Sequence, residues 1–224
     1  MCGRFTLSVS PVTISQVLGI AKTVNFTPQY NIAPTQMLLA IVYNLDNNQR
    51  EFKYLRWGLI PAWAKDRTIG TRLINARGET LTEKPSFRTA FQRRRCLVVA
   101  DGFYEWQAGT KQPYYFHLSG QQPFAFAGLW EKWTSPTQEE VFSCTIVTTE
   151  ANELLKPVHH RMPVIIPPED YSLWLDPQIT SLETLQSLLQ PYPTSEMIAY
   201  PVSKLVNSPK HNSADCIAPL GTEN

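Results

Sequence analysis

The sequence of 224 residues lacks any apolar run near the roughly 20 residues that a membrane-spanning helix needs. Its first residues, MCGRF, do not begin the long apolar stretch of a signal peptide. It also lacks an excess of one charge, since 20 Lys and Arg oppose 19 Asp and Glu for a net charge of +1. Bulk charge therefore gives no support for nucleic-acid binding, and any DNA-binding surface must be a local patch. We expect no membrane partner and a cytoplasmic location.

Cysteine is scarce and scattered. The four cysteines, Cys2, Cys96, Cys144 and Cys216, form no C-x-x-C pair, so thiols alone predict no zinc site. Without an export signal, reduced thiols are favoured over disulfides. We expect neither a metal nor an organic cofactor.

Glycine is also sparse, with 10 glycines against 18 prolines, whereas 43% of the residues are hydrophobic and 11% are aromatic. This composition is typical of a folded globular chain with a sizeable core. We predict one α+β domain over residues 1–224, built on a curved, mostly antiparallel sheet with a few helices. The polar stretch after about residue 207 is expected to be irregular.

Short segments rich in β-branched and aromatic residues predict the strands. They cover residues 37–43, 96–100, 113–118, 124–129, 141–148 and 162–166. The segments at residues 113–118 and 124–129 flank the turn-like residues 119–123 and predict a hairpin. Helices are predicted after Ser10 and Pro11, over residues 82–91, and after Thr180, which has capping-box spacing to Glu183.

Cys2 is the most informative single position, because removal of Met1 would make it the N-terminal residue. An N-terminal cysteine carries an amine and a thiol on adjacent carbons, with ordinary pKa values of about 8 and about 8.5. Such a 1,2-aminothiol can form an imine with an aldehyde and then close a thiazolidine ring. No internal cysteine can do this, because its nitrogen is part of an amide. The position predicts a carbonyl-trapping or N-terminal-nucleophile enzyme.

Six ordered motifs resemble those of the SOS-response-associated peptidase (SRAP) family, also called abasic-site processing proteins. They are MCGRF at residues 1–5, YNIAPT at 30–35, RWGLIPAW at 56–63, INARGET at 74–80, ADGFYEW at 100–106 and HHRMP at 159–163. PVS at 201–203 with VN at 206–207 is also similar to the family. The resemblance implies a barrel-like sheet, a positively charged groove for single-stranded DNA, and a covalent link from Cys2 to the opened abasic sugar.

The resemblance also implies the remaining catalytic residues, which are Asn75, Glu105 and His159. Asn75 can hold the sugar and the Cys2 amine, although a lone Asn after apolar residues is more often a turn residue. Aromatic neighbours should raise the pKa of Glu105, so that it can exchange protons during ring opening. The family pattern His-x-Arg-x-Pro selects His159, and His160 is a secondary candidate that we expect to pack or lie at the surface.

Three arginines within the motifs, Arg4, Arg77 and Arg161, are candidates for phosphate contact, since guanidinium groups suit bidentate binding. Ordinary salt bridging is an equally common role for them. Trp106 and Trp63 are candidates for stacking on the bases beside the lesion, with core packing as the alternative. The basic run at residues 93–95 is interpreted as a solvated face with a weak electrostatic role.

The predicted function is therefore covalent capture of abasic sites in single-stranded DNA by a monomer that associates with the nucleoid when DNA is damaged. Lyase activity through the Cys2 amine can accompany capture. Two alternatives remain open. One is a thiol peptidase that uses Cys2 with His159 and Asn75, including self-removal of Met1. The other is a non-catalytic reader of modified or damaged DNA.

Overall fold

Strands dominate the chain in the computed structural model, which describes residues 2–221. The strands are β1 (Arg4–Leu7), β2 (Gln29–Ile32), β3 (Met37–Asn44), β4 (Gln49–Trp57), β5 (Asn75–Arg77), β6 (Arg95–Ala100), β7 (Gly102–Trp106), β8 (Pro113–Leu118), β9 (Phe124–Thr134), β10 (Glu140–Glu150), β11 (Arg161–Pro163), β12 (Ile165–Ile166) and β13 (Met197–Pro201). The α-helices are α1 (Pro11–Val17), α2 (Arg88–Arg93), α3 (Tyr171–Leu175) and α4 (Leu182–Ser187). Short 3-10 turns occur at Arg67–Arg72, Gly78–Thr80, Pro168–Asp170, Thr194–Glu196, Lys204–Asn207 and Ala214–Cys216.

Five strands close into a barrel in the order β10, β4, β3, β6 and β9, with β9 returning to pair with β10. All these pairings are antiparallel except β4 with β10. Every residue of β6 is buried, as expected for a strand covered on both faces. A second antiparallel sheet has the order β13-β8-β7-β1-β2. These features confirm the predicted single α+β domain with a barrel-like, mostly antiparallel sheet.

The two sheets share one core through aromatic contacts. The Phe5 ring on β1 lies 5.2 Å from the Trp57 ring and 5.9 Å from the Phe126 ring, both in edge-on geometry. Phe5, Trp57 and Phe126 are fully buried or nearly so. The packing therefore joins the start of the chain, where the predicted site begins, to the barrel.

The predicted hairpin of residues 113–118 with residues 124–129 is wrong. Strand β8 pairs with β7 and β13, whereas β9 pairs with β6, β10 and β12, so residues 119–123 cross from one sheet to the other.

The side chain of Tyr115 on β8 packs directly over Gly102 on β7. A Cβ atom at Gly102 would lie 2.0 Å from the Tyr115 hydroxyl. The missing side chain at Gly102 thus allows the close approach of β8 to β7.

The helices begin close to the predicted positions, with two corrections. Ser10 caps α1 by accepting a 3.1 Å hydrogen bond from the Thr13 amide, as its position predicts. Ser181, not Thr180, caps α4 by accepting from the Thr184 amide at 3.3 Å. Helix α2 begins only at Arg88 rather than at residue 82. Helix α3 was not predicted, because its five residues are too few to show a helical period.

The segment 162–166 forms two strands rather than one. Its middle residue, Val164, donates to the Val147 carbonyl and accepts from the Ala127 amide, both at 2.9 Å. Strand β11 on one side pairs with β10, and β12 on the other pairs with β9. No helix within residues 2–221 is long and apolar enough to cross a membrane.

The C-terminal stretch folds back over the outer face of the second sheet. Val206 and Cys216 are buried against Tyr104 and Tyr115 in a small separate cluster. Beyond residue 207, the structure has a 3-10 turn at Ala214–Cys216 and a bridge between Val202 and Pro219. The last three residues, 222–224, lie outside the described residues.

The basic run at residues 93–95 is not one solvated face, which corrects the interpretation made from sequence. Arg93 is exposed and Arg94 forms a 2.7 Å ion pair with Glu131, but Arg95 is only 4% exposed. The Arg95 guanidinium donates to five backbone carbonyls, at residues 91, 92, 174, 176 and 179. It therefore joins the barrel to the helical segment that contains α3.

Candidate active site at the start of strand β1

Cys2 lies immediately before β1 and is fully buried. Its Sγ is 3.9 Å from the Arg4 carbonyl oxygen. Burial raises the pKa of the Cys2 thiol far above its usual value, and the nearby Glu105 carboxylate raises it further. Burial therefore favours the protonated thiol over the thiolate. Since Arg4 on β1 pairs with Tyr104 on β7, Cys2 lies beside the end of β7.

Glu105 provides the carboxyl group of the site. It lies on β7 between Tyr104 and Trp106 and is only 2% exposed. Burial raises the pKa of Glu105 to about 7, because desolvation disfavours the charged form. The direction of this pKa shift agrees with the one expected from the aromatic neighbours of Glu105. A carboxyl group with this pKa can both give and take a proton near neutral pH.

Asn75 reaches the site from the barrel. It is the first residue of β5, which runs parallel to β10 and pairs Asn75 with Ile146. The preceding Ile74 carbonyl accepts from the Trp57 indole at 2.8 Å and from the Ile146 amide at 3.1 Å, so the backbone before Asn75 is held on two sides. Asn75 Nδ2 donates to the Cys2 carbonyl oxygen at 2.8 Å. Its Oδ1 is buried and accepts no hydrogen bond within the described part of the chain.

His159 follows a turn that is attached to the loop beyond β7, because the Val158 carbonyl accepts from the Ala108 amide at 3.2 Å. Its Nδ1 lies 3.0 Å from the Arg161 amide nitrogen. Burial lowers the pKa of His159, which favours the neutral imidazole. The His160 ring is exposed and stacks on the His159 ring with centroids 4.5 Å apart. This placement agrees with a surface position for His160.

The three predicted phosphate ligands lie in different environments. Arg77 is exposed and lines an open cleft of about 530 Å³ together with Lys156 and His160. Arg161 is buried and forms a bidentate ion pair with Glu79, at 2.5 and 2.9 Å. The hydrogen bonds from Arg161 lower the pKa of Glu79, which favours its carboxylate form. Arg161 lines the same cleft, but it is only 8% exposed, whereas Arg77 is exposed.

Arg4 is engaged within the protein. Its Nη1 donates to Asn31 Oδ1 at 2.9 Å and to the Val206 carbonyl at 2.6 Å, and its Nη2 donates to the Asn207 carbonyl at 3.2 Å. Burial lowers the pKa of Arg4. These contacts favour an internal structural role for Arg4 over the predicted phosphate contact.

The two candidate stacking residues differ in exposure. Trp63 is 60% exposed, in the loop after β4. Trp106 is half-buried at the end of β7 and donates from Nε1 to Asn207 Oδ1 at 2.7 Å. Both leave ring surface open to solvent. Within residues 2–221, no group of three or more His, Cys, Asp or Glu side chains is arranged to hold a metal ion.

Comparison with known proteins places this geometry in a family. The model of the SOS response associated peptidase (SRAP) family matches residues 1–209. This chain belongs to the SRAP family. It is 48% identical to abasic site processing protein YoqW of Bacillus subtilis, with 97% of this chain and 99% of the relative covered. Abasic site processing protein YoaM of the same organism is also 48% identical, with 97% of each chain covered.

A solved structure shows the same SRAP fold. The X-ray crystal structure of a protein from Bacteroides thetaiotaomicron superposes with a TM-score of 0.86 at 28% sequence identity. The alignment covers 98% of this chain and 100% of that chain.

Several residues that shape the SRAP site were not singled out from the sequence. Asn31, Glu79 and Trp57 each lie within one of the recognised motifs, where they hold Arg4, Arg161 and the backbone before Asn75. The signal in the sequence that could have identified these residues was that each lies within a motif. Their partners were not predictable, because each contact joins segments that are distant in sequence.

Proposed function

We propose that this chain recognises abasic sites in single-stranded DNA and captures them covalently through Cys2 after Met1 has been removed. Met1 lies outside the described residues. The observation that carries the proposal is the burial of Cys2 and Glu105 together, with Asn75 bonded to the Cys2 main chain. The names of YoqW and YoaM, both abasic site processing proteins, support the substrate class.

The proposed reaction starts from the ring-opened abasic sugar, which carries an aldehyde at C1′. The Cys2 amine adds to C1′ and the resulting carbinolamine loses water to give an imine. The thiol sulfur then bonds to C1′ while its proton passes to the nitrogen, which closes the thiazolidine. The balance is one aldehyde and one aminothiol giving one thiazolidine and one water, with no oxidant or reductant.

The local electrostatics suit this order of events. A thiol with a raised pKa stays protonated, so it holds the proton that ring closure delivers to the nitrogen. Glu105, with a pKa of about 7, can protonate the departing hydroxyl and accept the proton back within one cycle. Asn75 Oδ1, which accepts no hydrogen bond within residues 2–221, can accept one from the Cys2 amine. His159 is assigned to the sugar hydroxyl released by ring opening.

DNA binding is assigned to groups at the protein surface. Arg77 supplies phosphate contact from the open cleft, which it shares with Lys156. Trp63 and Trp106 offer ring faces to the bases beside the lesion. Because the net charge is only +1, affinity depends on these few contacts and should weaken as salt rises.

Intact mass spectrometry tests the proposal directly. The purified protein is measured before and after incubation with a single-stranded oligonucleotide that carries one abasic site. We expect a starting mass without methionine and a stable one-to-one adduct. Cys2→Ala should form no stable adduct, whereas Cys216→Ser, which alters a buried cysteine in the separate cluster on the outer face of the second sheet, should form it normally. No adduct from wild-type protein with a free Cys2 would overturn the proposal.

Cys2→Ala also separates capture from strand cleavage, because this variant keeps an N-terminal amine. We expect a transient imine that borohydride reduction traps, together with cleavage of the DNA by elimination. If borohydride traps nothing on Cys2→Ala, the amine is not the group that attacks the aldehyde.

A thiol peptidase is the second candidate, favoured by the description of the family. Turnover of peptide substrates by wild-type protein but not by Cys2→Ala would favour the peptidase. A non-catalytic reader of damaged DNA would instead bind DNA equally well after Cys2→Ala and leave no adduct.

A further inference from the structure

Trp106 is held from outside the sheet by a hydrogen bond that the proposed chemistry does not use. On β7 the side chains alternate, so Glu105 points into the buried site and Trp106 to the outer face, where its ring lies 6.5 Å from the Tyr104 ring. The indole Nε1 donates to Asn207 Oδ1 at 2.7 Å. An indole has one donor, so this bond determines the rotation of the ring about its χ angles.

The segment that contains Asn207 is itself anchored to the second sheet. Arg4 donates to the carbonyls of Val206 and Asn207, at 2.6 and 3.2 Å. Asn31 Nδ2 lies within 3.1 Å of the carbonyls of Val206, Ser208 and His211. The 3-10 turn Lys204–Asn207 is therefore fixed to side chains of β1 and β2.

We propose that Asn207 is a positioning residue that presents the Trp106 ring for stacking on a base beside the abasic site, and that Arg4 and Asn31 anchor the segment that carries it. The inference rests on the proposed function. It gives Arg4 an indirect role in DNA binding in place of a phosphate contact. A ring held in place loses less conformational entropy when a base stacks on it, so the effect should appear in affinity rather than in the rate of bond formation.

A double-mutant cycle tests the inference. Trp106→Phe keeps an aromatic ring but removes the indole donor, and Asn207→Ala removes the acceptor. Affinity is measured with single-stranded DNA that carries a tetrahydrofuran abasic analogue, which has no aldehyde. We expect each single variant to weaken binding about fivefold, the usual effect of one hydrogen bond, and the double variant to be no weaker than either. Additive losses, or no loss in Asn207→Ala, would overturn the inference.

Two further variants separate positioning from general loss of structure. Asn207→Asp keeps the acceptor and should retain the coupling to Trp106, with an unchanged melting temperature. Asn212→Ala removes a nearby asparagine whose Oδ1 accepts from the Tyr30 amide at 2.6 Å, and it should show no coupling to Trp106→Phe. Coupling equal to that of Asn207→Ala would show that the whole segment, not Asn207, determines the effect.

The rate of adduct formation on natural abasic DNA distinguishes this inference from the proposed function. At saturating DNA, Asn207→Ala should form the adduct within twofold of the wild-type rate, because it does not touch Cys2 or Glu105. If wild-type protein forms no adduct, the proposed function fails, yet the coupling on the tetrahydrofuran DNA can still be measured. If adducts form but the coupling is absent, only the positioning inference fails.

Discussion

Asn75 and Cys2 are joined by a 2.8 Å hydrogen bond from the Asn75 side-chain amide to the Cys2 carbonyl oxygen. The bond holds the main chain of Cys2 rather than its thiol, so it fixes where both the nitrogen and the sulfur of that residue lie. The backbone before Asn75 is itself held by Trp57 and by β10. The barrel thus determines the position of a residue at the very start of the chain.

Asn75→Ala should slow covalent capture far more than it weakens DNA binding. The substitution removes the donor to the Cys2 carbonyl and the acceptor that the Cys2 amine can use. Loss of these contacts should lower the single-turnover rate of adduct formation by about 10- to 100-fold, the effect of roughly 1.5–3 kcal/mol. Denaturing gels measure the rate, and tetrahydrofuran DNA measures the affinity. A rate within twofold of wild type would contradict the assigned role.

Glu105→Gln should change the pH dependence of both activity and stability. The pKa of Glu105 in the folded protein is raised to about 7, so wild-type adduct formation should show an inflection near pH 7 that the variant lacks. For a carboxyl whose folded pKa is raised, the unfolded chain loses its proton first. The stability of the wild-type protein should therefore fall as pH rises from about 4.5 to about 7 and level off above that range.

The size of that fall has an upper limit of about 3 kcal/mol, at about 1.4 kcal/mol per pKa unit. Glu105→Gln, which cannot ionise, should lack this component. Urea unfolding at pH 5 and pH 8 tests the prediction. A wild-type stability that changes no more between these two pH values than that of Glu105→Gln would show that Glu105 does not titrate with a raised pKa.

Arg95→Met should destabilise the fold, although the sequence places this residue in an apparently ordinary basic run. The substitution removes one donor from five backbone carbonyls, of which those at residues 91 and 174 are in buried bonds and those at 92, 176 and 179 in partly buried ones. Each buried group left unsatisfied costs about 1–3 kcal/mol, so a total loss above about 3 kcal/mol is expected in urea unfolding. Arg93→Ala is the matched control, and as an exposed residue it should change stability by less than about 0.5 kcal/mol.

The fold class could be predicted from the sequence because strand residues leave a local signal. Strands β3, β6, β8 and β10 carry runs of β-branched and aromatic residues, and their predicted bounds differ from the observed ones by two residues or fewer. The pairing of strands could not be predicted in the same way. The supposed hairpin at residues 113–129 failed because a five-residue connection fits a turn and a crossover equally well, and the choice depends on β7 and β13, which are distant in sequence.

The candidate site could be predicted from the sequence where a residue's position or its sequence neighbours indicate its chemistry. Cys2 is distinctive by position and Glu105 by its aromatic neighbours, and the burial of Glu105 agrees with what those neighbours suggest. The arginines show the limit of such reasoning. Arg4, Arg77 and Arg161 look equivalent within their motifs. In the fold, however, Arg4 is hydrogen-bonded to Asn31 and Arg161 is paired with Glu79, and both partners lie in distant segments of the sequence. Only the fold distinguishes an arginine that is exposed from one that is already paired.

The three arginines should therefore respond differently to substitution. Arg77→Ala removes an exposed cation and should weaken single-stranded DNA binding irrespective of base sequence. It should also reduce the slope of log affinity against log salt by about 0.7, the value for one phosphate contact with a single strand. Fluorescence anisotropy over a salt series gives the slope. Arg93→Ala, equally exposed but on α2, should leave the slope unchanged.

Arg161→Gln should instead act on stability. Its guanidinium is buried and paired with Glu79, so the substitution leaves the Glu79 carboxylate without its partner and the Thr148 carbonyl without a donor at 2.7 Å. Because the Glu79 side chain is about half exposed, solvent screens the lost pair, and most of the expected cost of about 1–3 kcal/mol comes from the unsatisfied Thr148 carbonyl; the number of phosphate contacts should not change. The expected result is a lower melting temperature with an unchanged salt slope. A stable variant with a reduced slope would return Arg161 to the DNA-binding surface and make the ion pair with Glu79 incidental.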